Sequence, residues 1–240
     1  MSTFKNLTGS HYGYSGTRIE ALGATEYTLI GIAADQSGSV HSFRHQIEKC
    51  LQSIVKSCAA SPRADNLMLR CTTFDNTLHE THGFRPLPTC KLTDYKGAID
   101  AGGSTALYDA AHNAIAAVVN YGETLTSKDF EVNAVIFVIT DGCDNASKLT
   151  AKSVANAVQD AISSETIQSV LTVLVGVNVQ DQGVSKALVK FSASAGFDQY
   201  IEIAKADAKT LARLAAFASR SISLASTALG SGMPIRSLTF

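Results

Sequence analysis

The chain has 240 residues, 45% of them hydrophobic and 17% charged, with 20 Lys+Arg against 21 Asp+Glu. That length suits one domain with an ample core, and the low charge content excludes a disordered acidic protein. A near-neutral balance also argues against a dedicated nucleic-acid binder, which carries a basic excess or stripe. No apolar run reaches the roughly 18 residues that a membrane-spanning helix needs. The opening sequence MSTFKNLTGSHYGYSGTRIE has no apolar segment of the secretory type. Five cysteines (Cys50, Cys58, Cys71, Cys90 and Cys143) are odd in number and form no CxxC pair. Reduced thiols in a cytoplasmic protein are the expectation.

Residues 1–24 are rich in Gly, Ser, Thr and Tyr and show no sustained period, so they are expected to form an N-terminal arm. From residue 25 the pattern changes. Tyr27 to Ala34 is a continuous apolar stretch ending in Asp35. A helical face follows, with Phe43, Ile47, Leu51, Ile54, Val55 and Cys58 in register. Asn66 to Phe74 reads as a second strand, and Thr77 to Phe84 as a short antiparallel edge strand. Leu107, Ala110, Ala111, Ala114, Ile115, Val118 and Val119 make the next helical stripe, stopping before Gly122. Asn133 to Thr140 is a β-branched run ending in Asp141. Val154, Ala157, Val158, Ala161 and Ile162 form a third helical face, and Ser169 to Val177 a fourth strand in the main series. Val184, Leu188, Phe191 and Ala195 precede Gly196, a C-terminal stop. Asp198 to Ala204 is a fifth strand, and Asp207 is placed to cap a last helix carrying Leu211, Leu214, Ala215, Ala218 and Ile222.

Continuous rather than alternating apolar runs point to strands covered on both faces. The order of elements predicts an α/β fold: a doubly wound, mostly parallel central sheet with helices on both faces and one short antiparallel edge strand. The domain is expected over 25–225, with residues 226–240 as a C-terminal tail.

Open sheets of this kind bind ligands beyond the carboxyl ends of their strands. The first strand runs into Asp35-Gln36-Ser37-Gly38-Ser39, and the Asn133–Thr140 strand runs into Asp141-Gly142. Between them lies Gly102-Gly103-Ser104-Thr105-Ala106-Leu107, a glycine turn opening a helix. Two carboxylates and three hydroxyls from three loops can meet at one point. An all-oxygen set of this kind suits a hard cation such as Mg²⁺, with Mn²⁺ or Ca²⁺ as substitutes. Two carboxylates just balance its charge, which leaves an open position attractive to an anionic group. Taken singly, each piece also reads as an ordinary turn: Asp35 and the serines as a cap for the next helix, Asp141-Gly142 as a tight turn.

Asp-x-Ser-x-Ser, the threonine of the GGSTAL turn, and Thr-Asp-Gly together resemble the von Willebrand factor type A (vWA) domain and its metal-ion-dependent adhesion site (MIDAS). The resemblance covers roughly residues 25–225. It implies Ser37, Ser39 and Thr105 as direct metal ligands, with Asp35 and Asp141 binding often through water. It further implies a partner protein that supplies an Asp or Glu carboxylate, met by a rim of Gln36, Gly38, Ser104, Gly142 and Asp144. Intracellular bacterial members of the family often work beside AAA+ ATPases of the MoxR type.

Enzyme signatures are absent. There is no GxxxxGK[ST] and no GxSxG, and the second Asp of Asp-nucleophile phosphatases is replaced by Ser37. The sequence therefore predicts a non-enzymatic, metal-dependent interaction module. The alternative is a structural subunit that self-associates through its terminal arms; a metal-dependent hydrolase is third. Neither a nucleic acid nor a membrane is expected as a partner. Asp75 is an outer candidate for the site, Asp109 an exposed residue or a helper, and Asp144 and Asn145 a solvated loop. His41 and His45, four residues apart, are a remote zinc pair, and Cys143 a thiol near the rim.

Overall fold

A computed structural model describes residues 2–164, 166–231 and 238–240. In chain order the strands and α-helices are β1 (Ser2–Asn6), β2 (Gly13–Thr17), β3 (Glu26–Asp35), α1 (Arg44–Ala59), β4 (Leu67–Phe74), β5 (Leu78–Pro86) and α2 (Leu107–Thr126). They continue as β6 (Glu131–Thr140), α3 (Ala151–Ser163), β7 (Ser169–Val177), α4 (Gln182–Ala195), β8 (Gln199–Ile203) and α5 (Ala208–Ser231). The strands form one sheet in the order β1-β2-β5-β4-β3-β6-β7-β8. From β4 to β8 all neighbours are parallel. β5 is antiparallel to β4, and β1 is antiparallel to β2.

The continuous apolar runs are strands because both faces are covered. Helices α1 and α5 lie over one face, where Ile30, Ile32, Val135, Phe137 and Phe217 are buried. Helices α2, α3 and α4 lie over the other, on Leu29, Ala33, Ile136, Val138 and Leu174. Burying each such side chain contributes about 1.5–3 kcal/mol. The sheet thus confirms the doubly wound, mostly parallel α/β class.

Residues 2–24, expected as an N-terminal arm, are joined to the domain. They supply β1 and β2, which extend the sheet beyond β5, so the antiparallel β5 lies inside the sheet and the hairpin forms its edge. Leu7 and Tyr14 are buried. The Tyr14 hydroxyl donates to Asn120 Oδ1 at 2.7 Å, and its ring meets Phe84 and Tyr121 edge-on. A Cβ on Gly16 would come within 2.7 Å of the Tyr121 ring, so close strand–helix approach requires glycine there.

Other boundaries shift for local reasons. Helix α2 runs through Gly122 to Thr126, because its buried face continues with Tyr121 and Leu125; Gly122 leaves room for Ile167, which would lie 3.0 Å from a Cβ there. Ile162 is 60% exposed although assigned to the buried stripe of α3; at about 100° per residue it falls on the margin of the face set by Val154, Ala157, Val158 and Ala161. Helix α5 continues past residue 225 to Ser231, into the segment read as a tail. Residues 232–237 of that tail lie outside the described residues, while Leu238 and Phe240 pack against the core under α5. Two terminators are as expected: Gly196 takes φ +75°, and Asp207 Oδ1 accepts the Thr210 amide at 2.8 Å.

Candidate metal centre

Parallel register brings the two acidic strand ends together. Ala34 is level with Ile139, so Asp35 leaves β3 beside Thr140, and Asp141 follows at once. Asp35 is fully buried. Its Oδ1 accepts the Ser37 amide at 2.7 Å and its Oδ2 accepts the Thr140 hydroxyl at 2.6 Å. The Ser39 hydroxyl donates to Asp141 Oδ1 at 2.7 Å and lies 3.1 Å from the Ser37 hydroxyl. Four of the five predicted ligands, Asp35, Ser37, Ser39 and Asp141, thus belong to one hydrogen-bonded string.

Backbone bonds bring the glycine turn to the same place. The Gly38 amide donates to Gly103 O at 3.2 Å, and the Gly102 amide to Gln36 O at 2.8 Å. Gly103 takes φ +71°, and a Cβ there would lie 2.6 Å from Asn76 Oδ1. Only glycine fits. Thr105, two residues after Gly103, is 5% exposed.

Burial pushes the Asp35 carboxyl up to about 6; the bonds from Ser37 and Thr140 oppose this, and the nearby Asp141 charge adds to it. Burial also raises Asp141, against the hydrogen bond from Ser39. Among the described residues no Lys, Arg or His pairs with either carboxylate. The donors are two carboxylates and three hydroxyls, all hard oxygens, with a charge that one divalent cation balances. The residues present therefore fit such a cation. Asp35, Ser37, Ser39, Thr105 and Asp141 are the residues that would hold it, and once bound it would supply a Lewis-acidic position for an anionic oxygen.

Of the five expected rim residues, Gly38 and Ser104 are exposed and Gly142 is half-buried. Gln36 is not on the rim: it is 5% exposed, and its Nε2 donates to Asp75 Oδ2 at 3.2 Å. Asp144 turns to the amide of Tyr108 and the hydroxyl of Ser147 instead of outward. Asp75 braces the site from outside, accepting Gln36 and the Thr77 amide, while its carbonyl accepts the Ala106 amide at 2.6 Å. Asp109 is buried, not exposed, and accepts the amides of Lys148 and Leu149. His41 lies against Arg44, and His45 pairs with Glu48 at 3.3 Å. No three His, Cys, Asp or Glu side chains gather into a metal-holding group among the described residues, so nothing completes a zinc site around the two histidines. Cys143 is half-buried, and burial raises its thiol.

Sequence reasoning missed Thr140 as a partner of Asp35, and Asn145 and Ser147 as ties between loops. Thr140 had a signal, since it opens the Thr-Asp-Gly motif. The other two are single polar residues in a loop, without a spacing to mark them.

No protein-family model matches the sequence, and no curated protein does. Solved structures do. Proximal thread matrix protein 1 from the mussel byssus, in a form with a zinc-occupied MIDAS motif, superposes with a TM-score of 0.55 at 19% identity, over 84% of this chain and 46% of that one. The PilB minor pilin of Streptococcus sanguinis gives 0.57 at 12%, over 86% and 63%. The pilus adhesin SpaC of Lactobacillus rhamnosus GG gives 0.59 at 10%, over 84% and 31%. The chain spans less than two thirds of each of these proteins. At such identities the likeness is one of architecture, and with the sheet order and two-faced helical cover it shows that the chain has the fold of a von Willebrand factor A domain.

Proposed function

We propose that the chain is a metal-dependent interaction module that binds an Asp or Glu carboxylate of a partner protein at a Mg²⁺ held by Asp35, Ser37, Ser39, Thr105 and Asp141. One observation carries this reading: a fully buried carboxylate stands beside a second one with no cation from the chain to balance them. An unpaired buried charge is costly, and a divalent ion removes that cost. The exposed Gly38, Ser39 and Ser104 leave the outer side open to a ligand. The mussel protein with its zinc-occupied MIDAS supports a divalent metal in this fold.

The sequence carries no GxxxxGK[ST] or GxSxG signature, and we read the site as a binder. The five cysteines are all free, which supports a reducing, cytoplasmic setting. No helix among the described residues is long and apolar enough to cross a membrane. An ATPase of the MoxR type remains a partner by resemblance only. In the alternative reading, a structural subunit that self-associates through its terminal segments, the N-terminal segment would act as the edge hairpin β1–β2 of the sheet.

The test is binding to an array of peptides that each carry one Asp or Glu, in Mg²⁺ and in chelator. Binding should require the metal, the peptide carboxylate, and both Asp35 and Thr105. Retention that is indifferent to chelator and to Asp35→Ala and Thr105→Ala contradicts the reading.

A further inference from the structure

The loop after β6 is not a free surface turn. It is tied by two separate sets of bonds, one to the first turn of α2 and one to Thr105 just before it. The first set caps the helix. Ala106 at the N-cap has no oxygen in its side chain, so Ser147 Oγ accepts the Tyr108 and Asp109 amides, each at 3.0 Å, and Asp144 Oδ1 accepts Tyr108 at 3.3 Å. Asp109 answers by accepting Lys148 and Leu149, at 3.2 and 2.8 Å. The second set does not touch the helix. Asn145 Oδ1 accepts the Thr105 amide at 2.7 Å, and Thr105 O accepts the amides of Asn145 and Ala146 at 3.0 and 3.2 Å. Thr105 is thereby gripped on both backbone groups by the loop that begins with Asp141.

We propose that Asn145 is a positioning residue for the metal centre, fixing the span between Thr105 and Asp141 and through it the affinity for the cation. This rests on the metal-binding reading above. Of the three loops that supply donors, the Asp35 and Asp141 loops are joined through Ser39 and Thr140, and the Thr105 loop is joined to the Asp35 loop through backbone bonds. Asn145 closes the remaining side. Without it, the Thr105 amide loses its side-chain acceptor, and the loop keeps only the bonds that Thr105 O and α2 provide. Residues that orient metal ligands from outside typically change affinity by about 10–100-fold when removed. Asp at this position keeps the acceptor, so it preserves the function that Ala removes.

The experiment is Mg²⁺ titration by calorimetry into chelator-treated protein, with thermal unfolding and amide exchange of the metal-free forms. Asn145→Ala should weaken Mg²⁺ at least about tenfold and speed exchange of the Thr105 amide before any metal is added. Asn145→Asp should bind at least as tightly as the unmodified chain. Ser147→Ala, which removes helix caps in the same loop, should lower the melting temperature while changing Mg²⁺ affinity less than Asn145→Ala does. Unmodified affinity in Asn145→Ala, or equal losses in the Ala and Asp variants, overturns the proposal. Failure of the unmodified protein to bind Mg²⁺ overturns the metal-binding reading itself, and exchange at Thr105 then reports only whether the tie exists.

Discussion

Two regions of the molecule bury charge, and they treat it in opposite ways. Beside the hairpin, Arg70 of β4 is 2% exposed and its charge is answered by the chain: Nε donates to Glu80 Oε2 at 2.8 Å, and Nη2 donates to Asn113 Oδ1 at 2.9 Å and Gly13 O at 3.3 Å. At the strand ends, Asp35 is buried among hydroxyls and amides, and its nearest charge is another carboxylate. A buried charge whose partner comes from the chain is architecture. A buried charge whose partner is missing points to something supplied from outside.

The largest effect should fall on the answered charge. Arg70→Ala removes the ion partner of Glu80, which keeps its bonds from Ser15, leaves the buried Asn113 Oδ1 without its donor, and opens the join between β2, β4 and α2. The expected loss is about 3–5 kcal/mol, from the buried Asn113 oxygen left without its donor and from the lost packing of the arginine stem. Chemical unfolding should show it equally in Mg²⁺ and in chelator, because the metal plays no part at this edge.

Next in size is a pH effect at His82. Its Nε2 lies 2.7 Å from the Tyr95 hydroxyl, its Nδ1 lies 3.0 Å from Gly83 O, and burial holds the imidazole down at about 4. Below about 6.5 the unfolded chain takes up a proton that the folded chain refuses. Stability from this group is therefore full above 6.5, falls as pH drops from 6.5 to about 4, and levels off below, a change of about 3 kcal/mol at most. Unfolding curves across that window should lose this slope in His82→Gln.

Gly103→Ala links stability to the site. With φ +71° and a Cβ only 2.6 Å from Asn76 Oδ1, the substitution should cost about 1–2 kcal/mol. It should also weaken Mg²⁺, since Gly103 O anchors the Gly38 amide. A calorimetric titration beside an unfolding curve reads both effects, and an unaltered affinity would detach the turn from the site.

The same contrast explains what the sequence displayed. Strands buried on both faces read directly, because Asn133–Thr140 has no polar face to dilute its apolar run. The acidic strand ends and the glycine turn were legible because few residue types can do their work. The hairpin was hidden: Gly13, Ser15 and Gly16 are chosen for close approach to Phe4, Gly83 and Tyr121, which erases the alternation that marks a strand. The ties through Asn145, Ser147 and Gln36 were hidden for a different reason. They are contacts between loops distant in sequence, made by residue types common in any loop.

The metal itself is tested most directly by melting the chelator-treated protein with and without Mg²⁺, beside Asp35→Asn. The unmodified protein should gain about 1.4 kcal/mol at tenfold excess over the dissociation constant, a rise of several degrees. Asp35→Asn should melt higher than the unmodified protein in chelator, since one of two unbalanced carboxylates is gone, and should not respond to Mg²⁺. Identical melting of the unmodified protein in Mg²⁺ and in chelator, together with an Asp35→Asn variant no more stable than the original, would contradict the assignment of Asp35 and Asp141 to a cation.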